Sequence, residues 1–272
     1  MSEILFQYHA KNLHITHKLD PVPGRQNPMH AHDDIEIYYF ISGDCYYMVE
    51  GTKYRLKTGD IMIMRPLEAH HLVVCSEKVP YERIVATIHP DLLKSIDPDD
   101  QILSNLFSRP LGTLNRFDSS VFSHTLCSDI LMMISMQGQG MGRLDLLSRI
   151  MLVLSEADRA TKRLSPDLRR DNTGDLLISY VNQNLFKNIS LQQISEAFFL
   201  SQSQINRIFK KITGSSIGQY IAAKRLLTAR NRIRAGEPAV RVSEECGYND
   251  YSSFYRSYCA KFGCTPQDDK KA

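Results

Sequence analysis

The 272 residues contain no apolar run approaching the roughly 20 needed to cross a bilayer. A membrane-spanning helix is therefore not expected. Cysteine is sparse: residues 45, 75, 127, 246, 259 and 264 are scattered with no CxxC pair. That excludes the common zinc-finger and dithiol redox patterns. The stretch from Met1 to His9 lacks a basic start, an apolar centre and a small-residue cleavage site, so a secretory signal is not expected. Reduced thiols and a cytoplasmic location follow as the plain reading. There is no glycine-rich phosphate loop, and no serine sits in a GxSxG elbow. What remains is 43% apolar and 23% charged, the profile of a folded soluble chain rather than a disordered or fibrous one. The length suits one large domain or two ordinary ones.

Charge divides the chain. Residues 1–161 carry 15 Lys/Arg against 20 Asp/Glu, and residues 162–272 carry 18 against 10. An acidic front and a basic back predict two domains with different partners. A basic domain attracts a polyanion, DNA being the commonest, although charge alone also fits a merely solvated surface.

The front half has the pattern of short strands. Ile35 to Ile41 is a β-branched and aromatic run closed by Ser42-Gly43. Tyr46–Val49 and Lys53–Leu56 flank the hairpin loop Glu50-Gly51-Thr52. Ile61–Met64, His71–Val74 and Arg83–Ile88 follow. Such spacing predicts a small barrel or sandwich. From about residue 90 the period becomes helical. Leu126, Ile130, Leu131 and Ile134 form one stripe; Leu144, Leu147, Ile150, Met151 and Leu154 form another. Periodicity leaves two readings open, packing against the barrel or a helix-pair dimer interface. Residues 162–173, with Ser165-Pro166, have the composition of a linker.

The back half carries helix start signals. Ser190-Leu191-Gln192-Gln193, Ser201-Gln202-Ser203-Gln204 and Ser216-Ile217-Gly218-Gln219 each fit the capping box. Gly214, Gly236, Gly247 and Gly263 stand where helices should stop. Two short helices joined through Phe198-Phe199-Leu200 make a helix-turn-helix. The unit recurs: Ile194-Ser195-Glu196 matches Val242-Ser243-Glu244, and Ile205-Asn206-Arg207 matches Phe254-Tyr255-Arg256. Between them, 217–235 is predicted to be one helix of roughly 28 Å. Adjacent major-groove faces lie about 34 Å apart, so both second helices could enter one face of a duplex.

Residues 174–266 resemble the AraC/XylS transcriptional regulators. The resemblance rests on Leu200 to Lys211, Gly214, Gly218-Gln219-Tyr220-Ile221, Arg225, Ala229, Cys246-Gly247-Tyr248, Phe254-Tyr255-Arg256 and Gly263-Cys264-Thr265-Pro266. It implies base contacts from Ser203, Asn206 and Arg207 in the first unit and from Tyr251, Ser252, Tyr255 and Arg256 in the second. Arginine can fork to guanine and asparagine can read adenine. Lys210, Lys211 and Arg225 are expected at the phosphate backbone. Ile205, Phe209, Phe254 and Tyr258 are expected in the core. Three departures stand out. Cys259 replaces the usual lysine, Asp268-Asp269 replaces an aromatic-bearing ending and predicts a frayed last turn, and Phe199 is bulky for the first turn.

A second resemblance, to cupins, lies in the front half. Gly24-x5-His30-x-His32-x3-Glu36-x6-Gly43 fits the first cupin motif, and Gly59-Asp60 through Pro66 to His70 resembles the second, without the usual glycine after Pro66. The resemblance implies His30, His32, Glu36 and His70 as ligands of a divalent transition metal (Zn, Ni, Fe or Mn). Their alternative is an effector pocket or hydrogen-bonded histidines within the barrel. His70 is preferred over His71 as the last of the set. Tyr38, Tyr46 and Arg65 are expected as further pocket residues. His9, His14 and His17 cluster on a stretch with no predicted element and are expected at the surface.

Together these observations predict an α+β multidomain protein. A cupin-like effector barrel spans 1–110, a helical segment open to a dimerising role 111–161, a linker 162–173, and an all-α domain with two helix-turn-helix units 174–272. The expected function is a sequence-specific, effector-responsive transcriptional regulator, an activator by family habit, and not an enzyme. A sugar is a frequent effector in the family. Promoter DNA, a small molecule, a second copy and RNA polymerase are the expected partners, with no membrane. A metal-dependent cupin enzyme, a metal-sensing regulator and an architectural DNA-binding protein are the alternatives.

Overall fold

The computed structural model describes residues 2–23, 29–97, 103–118, 120–122, 126–163, 173–213 and 215–271. Gly24, Gly214 and most of the predicted linker, including Ser165-Pro166, lie outside these residues. The chain divides into two compact units, 1–27 with 34–169 and 28–33 with 170–272.

Among the described residues the first unit holds nine strands: β1 (Glu3–Ala10), β2 (Leu13–Asp20), β3 (Ile35–Ser42), β4 (Cys45–Val49), β5 (Thr52–Arg55), β6 (Ile61–Met64), β7 (His70–Val74), β8 (Tyr81–Ile88) and β9 (Arg116–Phe117). Helices α1 (Pro90–Ile96), α2 (Ser104–Ser108), α3 (Leu126–Gln137) and α4 (Arg143–Thr161) follow the main strands. One sheet runs β1-β2-β8-β3-β6-β9 and the other β5-β4-β7, with antiparallel pairing throughout the registers.

Strand β3 explains the layering. Its run is buried from Ile35 through Phe40 because both faces are covered, so the usual apolar–polar alternation is lost. Ile35, Ile37 and Tyr39 join one apolar cluster with Ile130, Leu131 and Ile134 of α3 and Ile150, Val153 and Leu154 of α4. Tyr38 and Phe40 join another with Tyr47 and Val49 of the second sheet. The helical stripes thus pack largely on their own sheet. Met136 and Leu144 remain 79% exposed on α3 and α4.

The second unit contains α5 (Thr173–Gln183), α6 (Leu191–Phe198), α7 (Gln202–Thr213), α8 (Ile217–Arg234), α9 (Ala239–Glu245), α10 (Tyr251–Phe262) and α11 (Pro266–Lys271). The capping boxes form as the sequence predicts: Ser190 Oγ accepts from Gln193 N–H at 3.2 Å, Ser201 Oγ from Gln204 N–H at 3.3 Å, and Ser216 Oγ from Gln219 N–H at 3.3 Å. In each, the glutamine oxygen accepts the serine N–H in return.

The predicted frayed ending is corrected. Asp269 is 4% exposed and anchors α11. It accepts from Arg230 Nε at 2.8 Å, Arg234 Nε at 2.9 Å and Tyr258 hydroxyl at 2.8 Å. A carboxylate collecting two guanidinium groups and a phenol replaces the apolar lock that an aromatic would supply.

Candidate DNA interface and barrel site

The sequence repeat becomes a structural repeat in α6–α7 and α9–α10. Leu200 N–H donates to Ser195 carbonyl at 3.2 Å, and Tyr248 N–H to Ser243 carbonyl at 3.0 Å, 48 residues on. Ser201 caps α7, and 49 residues on Asp250 caps α10, accepting from Ser253 N–H at 2.7 Å. The Asp250 cap was not singled out from sequence, although an aspartate preceding a helical run carries that signal.

The turns also match. Phe199 (φ +53°) and Gly247 (φ +82°) are both left-handed. Gly247 has a steric reason for lacking a side chain, since a Cβ there would stand 2.8 Å from Phe186 carbonyl oxygen and from Arg225. Phe199 is 94% exposed.

Helix α7 buries Ile205 and Phe209 and exposes Ser203, Arg207, Lys210 and Lys211, with Asn206 half-buried. Helix α10 buries Phe254 and Tyr258 and exposes Tyr251, Ser252, Tyr255 and Arg256. The four lie at positions i, i+1, i+4 and i+5, so they share one helical face. Tyr251 and Tyr255 rings stand 6.2 Å apart on it. Arg207 and Arg256 occupy the same place in the two units. Helix α8, 18 residues long, spans roughly 27 Å between them.

Arg225 is reassigned. Instead of facing a phosphate, its Nε donates to Leu185 carbonyl at 2.8 Å, Nη1 to Gly247 carbonyl at 2.6 Å and Nη2 to Lys187 carbonyl at 2.8 Å. The planar fork ties the loop after α5 to the turn of the second unit. Burial pushes its pKa down from the ordinary arginine value.

In the first unit the barrel interior carries an aromatic and acidic group. Tyr47 hydroxyl donates to Glu36 Oε1 at 3.0 Å. The His70 Nε2 atom lies 3.7 Å from Glu36 Oε2. His70 Nδ1 is 2.7 Å from the Glu68 carbonyl, which accepts its N–H. Tyr38 and Tyr81 hydroxyls are hydrogen-bonded to each other, and the Tyr38 and Tyr47 rings meet edge-on at 5.0 Å. Burial, first, and the neighbouring phenol and carboxylate, second, push Tyr38 and Tyr47 well above the ordinary tyrosine pKa.

Of the predicted set, Glu36 and His70 come together within the first unit, and the His30 and His32 rings stand 6.0 Å apart. Tyr38 faces the barrel interior. Tyr46 does not: Cys45, Tyr47 and Val49 face inward on β4, which turns Tyr46 outward beneath the Lys53 ammonium at 4.0 Å.

Arg65 is likewise corrected to a structural role. It donates to Phe107 carbonyl and lies 3.6 Å from Glu68. Glu68 is fully buried and accepts from Arg109 Nη2 at 3.0 Å, Asn115 Nδ2 at 2.8 Å and Gly112 N–H at 3.1 Å. Nothing in local sequence marks the bonds from Arg109, Gly112 and Asn115, which lie 41, 44 and 47 residues from Glu68. His17, expected at the surface, is 4% exposed and bonded to Glu82 at 2.8 Å and to Ser135.

Comparison with known proteins matches both units. Residues 14–133 match the AraC-like ligand binding domain family, and residues 194–272 a helix-turn-helix domain family. Over 92 residues the chain is 35% identical to the probable transcriptional regulator LumQ of Photobacterium leiognathi; that match covers 34% of this chain and only 37% of LumQ. Over 260 residues it is 22% identical to the HTH-type transcriptional activator RhaS of Escherichia coli, covering 91% of this chain and 88% of RhaS. Among solved structures it is similar to ToxT from Vibrio cholerae, at 13% identity and a TM-score of 0.44, over 95% of this chain and 97% of ToxT.

Proposed function

Since the chain belongs to the AraC/XylS family of transcriptional regulators, we propose that it activates transcription in the cytoplasm by reading promoter DNA through α7 and α10 under the control of a small effector in its barrel. The observation that carries the reading is the matched pair of outward faces, Ser203-Asn206-Arg207 and Tyr251-Ser252-Tyr255-Arg256, on equivalent helices of a repeated unit. Activation, and RNA polymerase as a partner, are supported by the likeness to RhaS, which is named an activator. No helix among the described residues is long and apolar enough to cross a membrane. The exposed Met136 and Leu144 support a homodimer formed through α3 and α4.

The effector would meet tyrosine hydroxyls and the Glu36 carboxylate, a lining that suits a polyhydroxylated molecule such as a sugar. Effector binding can control DNA binding only by favouring one arrangement of the chain over another. A second reading is favoured by the Glu36–His70 pair. An imidazole and a carboxylate this close suit a divalent transition metal, and the sequence motif adds His30 and His32 as donors. The metal would polarise or sense a bound ligand. Metal content of the untagged protein, beside a His30→Ala/His32→Ala control, decides between them.

The DNA reading is tested with Arg207→Ala on a duplex selected from random sequence by the wild-type protein. The substitution should weaken the selected site by roughly 1–3 kcal/mol and relax one base position. An equal loss on random duplex would refute the base-reading role.

A further inference from the structure

We propose that His9 and His14 form a chelating site for a divalent metal of tetragonal preference, Cu(II) first. The two residues are direct partners across the β1–β2 hairpin, with the register His9↔His14. Directly opposed residues place their Cβ atoms about 4.5–5.5 Å apart, which lets two imidazoles converge. Here the Nδ1 atoms stand 2.9 Å apart, and both side chains are exposed. The rings are tilted by 54° with centroids at 5.0 Å, so they do not stack face to face.

The separation selects the metal. With metal–nitrogen bonds of about 2.0–2.1 Å, nitrogens 2.9 Å apart subtend about 90° at the ion. A tetrahedral ion would require about 3.3 Å between them. Right-angled imidazole donors are the preference of Cu(II) and Ni(II), and affinity order places Cu(II) ahead. Water would complete the coordination.

The scaffold holds the pair in place. Gln7 contacts His9 at Nε2. Turned so that its carbonyl oxygen faces the ring, the Gln7 amide accepts the Nε2–H and leaves the His9 Nδ1 lone pair toward His14. In the metal-free hairpin His14 Nδ1–H donates to that lone pair. Binding requires only that His14 take its other neutral tautomer. The hairpin tip is tied down on both sides: His89 N–H donates to Asn12 carbonyl at 3.1 Å, and Arg143 Nη2 to Lys11 carbonyl at 3.1 Å. Leu13 and Ile15, flanking His14, are fully buried. The site therefore asks little ordering of the backbone on binding. It uses none of the residues of the barrel-interior site around Glu36 and His70.

The test is titration of chelator-stripped full-length protein with CuCl2, followed by electron paramagnetic resonance. One equivalent should give a tetragonal Cu(II) signal split by two nitrogens. His9→Gln and His14→Gln should each abolish the two-nitrogen signal while leaving circular dichroism and thermal unfolding unchanged, as their exposure allows. His30→Gln/His32→Gln should retain it. Gln7→Leu, which removes only the orienting bond, should weaken Cu(II) binding about 10–100-fold. A two-nitrogen signal that survives both His9→Gln and His14→Gln, or that never forms, overturns the proposal.

Discussion

Asp269→Ala should loosen the helical unit far more than a substitution on a six-residue helix ordinarily would. The carboxylate is 3% exposed at its side chain and receives bonds from two guanidinium groups and the fully buried Tyr258. Removing one member of a buried ion pair costs about 3–5 kcal/mol. The arginines here are 23% and 31% exposed, so water recovers part of their solvation and the lower end applies, about 3 kcal/mol. Hydrogen exchange read on peptides from α8 and α10 isolates this unit from the rest of the chain. At 1.4 kcal/mol per decade, exchange there should accelerate about 150-fold.

The effect carries a pH signature. Burial pushes the Asp269 carboxyl up, but bonds from Arg230, Tyr258 and Arg234 outweigh it and hold the group far below the usual carboxylate range. A depressed folded pKa contributes stability that is complete above the unfolded value near 3.9 and is lost as pH falls below it. The difference between wild type and Asp269→Ala should therefore be flat from neutral pH down to about 5 and shrink below about 4. Exchange within threefold of wild type at pH 7, or a difference that does not shrink in acid, would refute the keystone role.

Arg225→Lys should lower the stability of the helical unit by about 2 kcal/mol, because an ammonium cannot span three carbonyls in the geometry of a guanidinium fork. With Arg225→Gln, which removes the charge, the salt dependence of DNA binding should keep its slope; a slope reduced by about one would return Arg225 to the phosphate backbone. Phe199→Gly should raise stability by about 0.5–1 kcal/mol in urea unfolding, since it relieves a left-handed conformation at a site that is 94% exposed and loses no packing. A loss of stability would mean that the phenyl ring makes a contact that outweighs its backbone strain.

The helical unit was legible almost residue by residue because its signals are local. A serine three residues before a glutamine forms a capping box within one helical turn, whatever surrounds it. The 48- and 49-residue repeat placed Arg207 opposite Arg256 and Ile205 opposite Phe254 before any coordinates were needed. Strands β3 to β8 were marked by β-branched runs and turn residues. β1 and β2 were missed, because polar residues such as Gln7, His9, His14 and Lys18 dilute the apolar pattern on a hairpin with one solvent-facing side.

Tertiary structure alone decided where long side chains ended. Arg225 and Arg65 are arginines in stretches that promised a phosphate and a pocket, and each reaches several ångströms to whichever carbonyl or carboxylate the fold brings near. Whether Asp269 frays or locks the last helix depends on Arg230, Arg234 and Tyr258 converging from two other helices. Sequence determined the periodic and capping interactions, which act over a few residues of chain. The pairing of charges across 35 or more residues follows only once the apolar faces have packed, because burial, not proximity in sequence, is what makes an unpaired charge costly.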